Sequence, residues 1–142
     1  MNKNQKSHNE IFEAVDAKHV ARIAGAGNKM VYMLDQKADL YVNLVPGMKF
    51  WDMCASEALI QSMMGIVVSA DNKPLIYDPD LEDYTVNEGI VIAKNKKVFD
   101  TACNRIKEAT GHDMKYFQEK TQLETAEYRA AKDLKAAVTA NV

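Results

Sequence analysis

Cysteine, proline, glycine and tryptophan are all scarce in this chain: two, three, six and one among 142 residues. Cys54 and Cys103 are too few for a disulfide framework and lack any metal-ligand spacing, so a reduced, intracellular setting is expected. No low-complexity tract and no internal repeat is present. Charge of one sign is equally missing. Eighteen lysines and arginines face twenty aspartates and glutamates, for a formal charge of -2. That balance gives no electrostatic footprint for nucleic acid or an anionic membrane. The longest apolar runs, such as Met30 to Leu34, cover about a quarter of the ~20 residues a bilayer crossing needs. Met1-Asn2-Lys3-Asn4-Gln5-Lys6 has no apolar stretch behind it, which argues against a secretory signal. Apolar residues at 47% and charged residues at 27% predict one packed domain and argue against disorder.

Elements alternate along the chain. Asn9 to Asp16 has apolar residues at Ile11, Phe12 and Val15, a spacing that predicts a short amphipathic helix. His19 to Ala24 reads as a strand. A helix with Met30, Val31, Met33 and Leu34 on one buried face follows the turn Gly25-Ala26-Gly27-Asn28-Lys29. Ala38 to Val45 alternates Leu40, Val42 and Leu44 with Tyr41 and Asn43, a strand that Pro46-Gly47 ends. Asp52 is placed to cap the next helix, which runs through Ala55, Ala58, Leu59 and Met63 to Gly65. Ile66 to Ser69 and Leu75 to Tyr77 flank Asp71-Asn72-Lys73 as a hairpin. Gly89 to Ala93 is a further strand, and Val98 to Ala109 a helix with Val98, Ala102 and Ile106 on one face. This alternation predicts α/β layering with a mostly parallel sheet. Asp113 to Val142 contains no glycine or proline, and predicts one long helix. Leu123, Ala126, Ala130, Leu134 and Ala137 form only a narrow stripe on it, suited to crossing a partner surface or projecting into solvent.

Two segments could carry chemistry. In Gly25 to Lys29, glycines let the backbone approach an anion, a helix N-terminus offers free N–H groups, and Lys29 adds a mobile positive charge. A plain tight turn is the competing reading. The second segment, Pro46-Gly47-Met48-Lys49-Phe50-Trp51-Asp52-Met53-Cys54-Ala55, resembles the second signature of the inositol monophosphatase superfamily of magnesium-dependent, lithium-sensitive phosphomonoesterases. The order of Gly25 to Lys29, then Lys37-Ala38-Asp39-Leu40-Tyr41-Val42, then Pro46 to Ala55 is similar to that of the 3'(2'),5'-bisphosphate nucleotidases within it. The resemblance spans roughly residues 7 to 110.

The resemblance implies a fold and roles. Residues 1–111 are expected to form a layered α/β sheet with flanking helices like the family's C-terminal subdomain, and residues 112–142 an added helical extension. Asp52 corresponds to the family's metal-binding aspartate. Gly25 and Lys29 correspond to positions that contact the nucleotide, and His8 to a histidine that also touches it, although Lys6 stands where the family has arginine. Met64 replaces the first of two glycines, which bears on close helix–strand packing there.

What the chain lacks is the rest of the metal site. Family catalysis uses several carboxylates around two or three magnesium ions, and most come from an Asp-Pro-Ile/Leu-Asp-Gly-Thr motif upstream of the second signature. The string Asp78-Pro79-Asp80-Leu81-Glu82-Asp83 lacks Gly-Thr, lies downstream, and reads as a solvated acidic turn. Asp35, Asp39 and Glu57 do not complete a cluster with Asp52, so magnesium binding by this chain alone is expected to be weak. Other candidates have plainer readings: Trp51 and Cys54 as packing residues, His19 and His112 as surface or capping residues, and the methionines as core filling. The charges of the last helix balance, which suits a solvated face.

Three functions fit these residues. The chain is expected to be a catalytically incomplete member of the phosphatase family, serving as a structural or interaction subunit. A protein partner would then cover its exposed sheet or core face, with the 113–142 helix as one means of contact. Alternatively it is the C-terminal half of a magnesium-dependent bisphosphate nucleotidase completed by another chain. In the third reading it binds a nucleotide or phosphate without turnover.

Overall fold

The computed structural model describes residues 6–140, with side chains at 134, 135 and 137–140 left aside. Five helices and three strands follow one another as α1 (Lys6–Ala14), α2 (Ala26–Leu34), β1 (Leu40–Asn43), α3 (Cys54–Ser62), β2 (Ile66–Val68), β3 (Ile90–Ala93), α4 (Lys96–Thr110) and α5 (Met114–Ala140). A single 3₁₀ turn, Phe50–Asp52, precedes α3.

The sheet is antiparallel, in the order β1-β3-β2, which corrects the expected mostly parallel arrangement. Leu40 faces Ala93 and Asn43 faces Ile90 on one side of β3; Ile66 faces Ala93 and Val68 faces Val91 on the other. Strands β1 and β2 therefore run parallel to each other, joined by a crossover through α3, and β3 fills the slot between them. This is a split β-α-β unit, and its helix–strand alternation in sequence is the same as that of a parallel sheet. β3 is buried along its whole length. Such a continuous apolar run is what two covered faces demand, whatever the strand direction.

Successive side chains on each strand enter opposite layers. Val91 and Ala93 join Val42, Leu44, Ile11, Phe99, Ile106, Met114 and Phe117 beneath α1, α4 and α5. Ile90 and Ile92 join Val67, Met30, Met33, Met53, Ile60 and Val86 beneath α2 and α3. The result is a three-layer α/β/α arrangement with a core on each side of the sheet. Helix α4 is fixed at both ends by local chemistry. The Asn95 side chain accepts the Val98 N–H at 2.9 Å, and Gly111, at φ 75°, donates its own N–H to the Lys107 carbonyl.

Several local expectations are revised. Residues 19–24 form no strand: they are exposed apart from half-buried Ile23 and pair with no sheet edge. Within α2, Met30 and Met33 are buried but Val31 is exposed. The turn after β2 closes through Ser69, whose Oγ meets Asp71 Oδ1 and accepts the Lys73 N–H at 3.1 Å. Leu75–Tyr77 do not return as a hairpin strand, because Pro74 has no N–H to continue a ladder. Helix α5, by contrast, packs Met114, Phe117 and Thr121 into the core and leaves the stripe at Leu123 outside it, in keeping with a stripe too narrow for a core element. Leu123 is 67% exposed, Ala126 and Ala130 are also exposed, and Leu134 and Ala137 lie outside the described side chains. Among the described residues, no helix is long and apolar enough to cross a membrane.

Candidate functional site

The segment from Pro46 to Asp52 is held by Met48 and Phe50, which pack half-buried against the core beneath α2 and α3, and by main-chain bonds. Met48 accepts the Val86 N–H at 2.8 Å, Phe50 donates to the Tyr84 carbonyl at 2.9 Å, and Lys49 bridges Thr85. Asp52 closes the 3₁₀ turn: its Oδ2 accepts the Lys49 N–H at 3.0 Å while its own N–H reaches back to the Lys49 carbonyl. The expected role of Asp52 as the cap of α3 is thereby corrected. Met53 is the residue in the capping position, it makes no side-chain cap bond, and the carboxylate serves the turn before the helix. Asp52 itself is exposed.

Lys49 also brings in a residue that sequence spacing gave no way to find. Its Nζ lies 3.1 Å from Asp83 Oδ1 and also bonds Thr85 Oγ1. Asp83 accepts the Thr85 N–H and hydroxyl as well, at 2.9 and 2.6 Å, and these bonds together with Lys49 hold its carboxyl below the usual range. The acidic string is otherwise an exposed turn, closed by Asp78 accepting the Asp80 N–H at 2.9 Å. Trp51 does not anchor a core: it is 62% exposed, tilted against Tyr84 at 5.6 Å between ring centroids. Cys54 is likewise exposed, not packed, with Sγ 3.8 Å from the Trp51 carbonyl oxygen. Glu57, one turn into α3, is 7% exposed and receives Gln61 Nε2 at 2.8 Å and the Tyr77 hydroxyl. Burial, reinforced by Glu57, pushes the Tyr77 phenol up, so it stays a donor. This pair straps the 74–85 loop across α3.

The other predicted residues lie on two sides of the sheet. Gly25, at φ 82°, turns the chain into α2, whose N-terminus has no side-chain cap; Asn28 reaches back to the Ala24 carbonyl at 3.3 Å. A residue with Cβ disfavours that conformation, so glycine there has a backbone reason independent of any ligand. Lys29 is half-buried, its Nζ 5.9 Å from the centre of the Tyr41 ring. Helices α2 and α3 share one core, so Gly25, Lys29 and Asp52 belong to the same side of the sheet. His8 belongs to α1 on the opposite side. It is 4% exposed, and its Nε2 accepts the Leu44 N–H at 3.2 Å, which leaves that atom unavailable to a ligand. His112 is exposed and stacks on Tyr116 at 3.7 Å between centroids.

Magnesium of the family kind requires several carboxylates converging on one point. Among the described residues no group of three or more histidines, cysteines, aspartates or glutamates converges so as to hold a metal ion. Asp52 is one exposed carboxylate with an oxygen already accepting Lys49, Glu57 is turned inward to Tyr77, and Asp83 is paired with Lys49. This donor set does not fit a magnesium cluster.

Comparison with known proteins places these features in context. Residues 2–133 match the inositol monophosphatase family. The chain is 34% identical to 3'(2'),5'-bisphosphate nucleotidase 1 of Rattus norvegicus over 73 residues, covering 51% of this chain and 24% of that protein. It is 31% identical to the Homo sapiens protein of the same name over 96 residues, covering 68% and 30%. The Dictyostelium discoideum protein of that name is 31% identical over 88 residues, covering 60% and 28%. The chain thus spans between about a quarter and a third of the length of these curated relatives. The family match continues past residue 110 and into α5.

Proposed function

Because the chain belongs to the inositol monophosphatase family, we propose that it is a catalytically incomplete member that works as a structural or interaction subunit of a larger assembly. The observation that supports this reading is the donor set around Asp52: a single carboxylate stands where phosphate-ester hydrolysis of the family kind needs several. With one exposed carboxylate and no convergent neighbours, magnesium keeps its water shell and is held weakly. A partner is favoured by the outer face of α2 and α3, where Val31, Leu59, Met63 and Met64 are all exposed. A groove of about 340 Å³ beside them is lined by Met33, Ile60, Met63 and Met64 and rimmed by Lys94. Large apolar side chains grouped on a surface are characteristic of an interaction site. The exposed part of α5 beyond Leu123 offers a second surface for contact. The purified chain is expected to release no orthophosphate from 3'-phosphoadenosine 5'-phosphate in magnesium. Release that lithium suppresses and Asp52→Asn abolishes would overturn the proposal.

A second reading is favoured by the order around Asp52. Lys49, Trp51, Asp83 and Thr85 are held in a defined surface arrangement although no metal-holding cluster stands beside them among the described residues. In that reading the chain is the C-terminal part of a magnesium-dependent bisphosphate nucleotidase. Asp52 then supplies one metal ligand, and Gly25 and Lys29 supply phosphate or ribose contacts, to a site completed by carboxylates from another polypeptide. Mixing with a chain that carries the Asp-Pro-Ile/Leu-Asp-Gly-Thr motif decides between the two. Magnesium-dependent release that appears only in the mixture, and falls in Asp52→Asn, establishes the second; no gain over the added chain alone removes it.

A further inference from the structure

Helix α1 is tied to the rest of the fold by polar joints at nearly every turn. At its start the Ser7 hydroxyl donates to Glu124 of α5 at 2.9 Å, and the Ser7 N–H points to the other oxygen of that carboxylate at 3.5 Å. One turn on, Lys120 of α5 donates to both oxygens of Glu10, at 2.6 and 2.8 Å. Arg22, just beyond the helix, donates to Asn9 at 2.9 Å, and Arg105 of α4 donates to the Val15 carbonyl at 2.7 Å. His8 sits among these joints, its ring 6.4 Å from that of Phe12.

The hydrogen bond of His8 fixes its protonation. Nε2 accepts the Leu44 N–H, so the single proton of the neutral ring resides on Nδ1. Nδ1 is buried and meets no hydrogen-bond partner among the described residues. A second proton has only Nε2 to occupy. It would set an N–H against the N–H of Leu44, donor facing donor, and strip that buried amide of the acceptor it now has.

We propose that His8 is an acid-operated latch: protonation of its ring breaks the bond to Leu44 and releases α1 from β1, α4 and α5, while β3, α2 and α3 stay folded. Release uncovers the apolar seat that Ile11 shares with Leu44 and Phe117. The charged groups around the ring set the direction. Glu124 from α5 favours the imidazolium, and Arg22 from the segment after α1 opposes it. Glu10 and Lys120 neutralise each other, Arg105 of α4 is bonded to a carbonyl, and β1 carries no charged side chain from Leu40 to Leu44. Burial outweighs Glu124 and lowers the ring from 6.5 to about 4, so the docked helix favours the neutral form. The latch is closed above the ordinary histidine pKa and opens as pH falls through that interval.

Amide hydrogen exchange on the full chain, corrected for intrinsic rates, tests this at about pH 7 and about pH 4.5, with the ¹⁵N shifts of the His8 ring followed in parallel. Amides of residues 11–14 are less protected than those of α4 at both pH values and lose roughly fifty-fold in protection over that interval, as linkage between the two ring pKa values requires. In His8→Gln the side-chain oxygen can take the place of Nε2 and does not titrate, so the acid loss in residues 11–14 disappears. Glu124→Gln keeps an acceptor for Ser7 but removes the charge that favours the imidazolium in the docked helix, so the acid loss of protection in residues 11–14 is no smaller than in wild type and continues to lower pH; a loss that shrinks in this variant overturns the latch even if His8→Gln does not fold. Protection of residues 11–14 that equals that of α4 at both pH values, an acid response that persists in His8→Gln, or a wild-type ring carrying its proton on Nε2 at neutral pH would each overturn the latch.

Discussion

The two faces of the sheet are closed to different degrees. Beneath α1, α4 and α5 the large side chains Ile11, Ile106 and Phe117 are wholly buried, and ion pairs and hydrogen bonds join residues more than a hundred positions apart. Beneath α2 and α3 the methionines Met30, Met33 and Met53 fill the core, yet Val31, Leu59, Met63 and Met64 remain in solvent. The first face is complete in itself. The second carries Gly25, Lys29 and Asp52, three of the four residues that the resemblance singles out, and it is the one left open. Gly25, Lys29 and Asp52 thus lie on the opposite side of the three strands from the core closed by α1, α4 and α5.

The largest expected effect lies on the closed face. Phe117→Ala removes a fully buried ring from the centre of that core and lowers unfolding free energy by about 4 kcal/mol in urea titrations. Acid acts on the same side. His8 has its pKa lowered in the folded chain, so its contribution is present above pH 6.5 and is lost as pH falls toward about 4, amounting to roughly 3 kcal/mol. Stability measured against pH in wild type and His8→Gln isolates that term, and the two curves converge if His8 is irrelevant.

Effects on the open face are smaller. A Cβ at Gly65 would collide with Ile60 Cγ2 and lie 2.8 Å from the Ile60 carbonyl oxygen, so Gly65→Ala destabilises by about 2 kcal/mol. Met64 occupies the left-handed region at φ 65° with its side chain 79% exposed. Met64→Gly relieves that backbone cost without opening a cavity and raises stability by about 1 kcal/mol in the same titration. Leu59→Ala changes stability by less than about 0.5 kcal/mol, because its side chain is exposed. A large loss at Leu59 would mean that the open face is already covered by another copy or chain.

Much of this was legible in the residue pattern, and the failures have physical causes. The helical periods of α1, α3 and α4, and the apolar run of β3, report burial directly. Strand direction does not follow from such patterns, because β1-α3-β2 reads the same whether the space between its strands is empty or filled by β3. Val20 and Ile23 gave residues 19–24 a β-branched look, but no sheet edge was there to receive them. The substitution of Met64 for glycine was visible, though its consequence is backbone conformation, not packing. At the candidate site, Asp52 and its turn follow from adjacent residues, whereas Asp83 enters only through Lys49, across a long separation with no sequence signal. His8 matched a ligand-contacting position in type, but its contacts depend on which face α1 covers, and only the tertiary structure fixes that.

Magnesium titration of the isolated chain by calorimetry, in wild type and Asp52→Asn, addresses the central claim most directly, since it depends on the donor set and not on knowing the partner or substrate. A single exposed carboxylate predicts no saturable heat in the submillimolar range and no difference between the two proteins. Saturable submillimolar binding that Asp52→Asn abolishes would contradict the account.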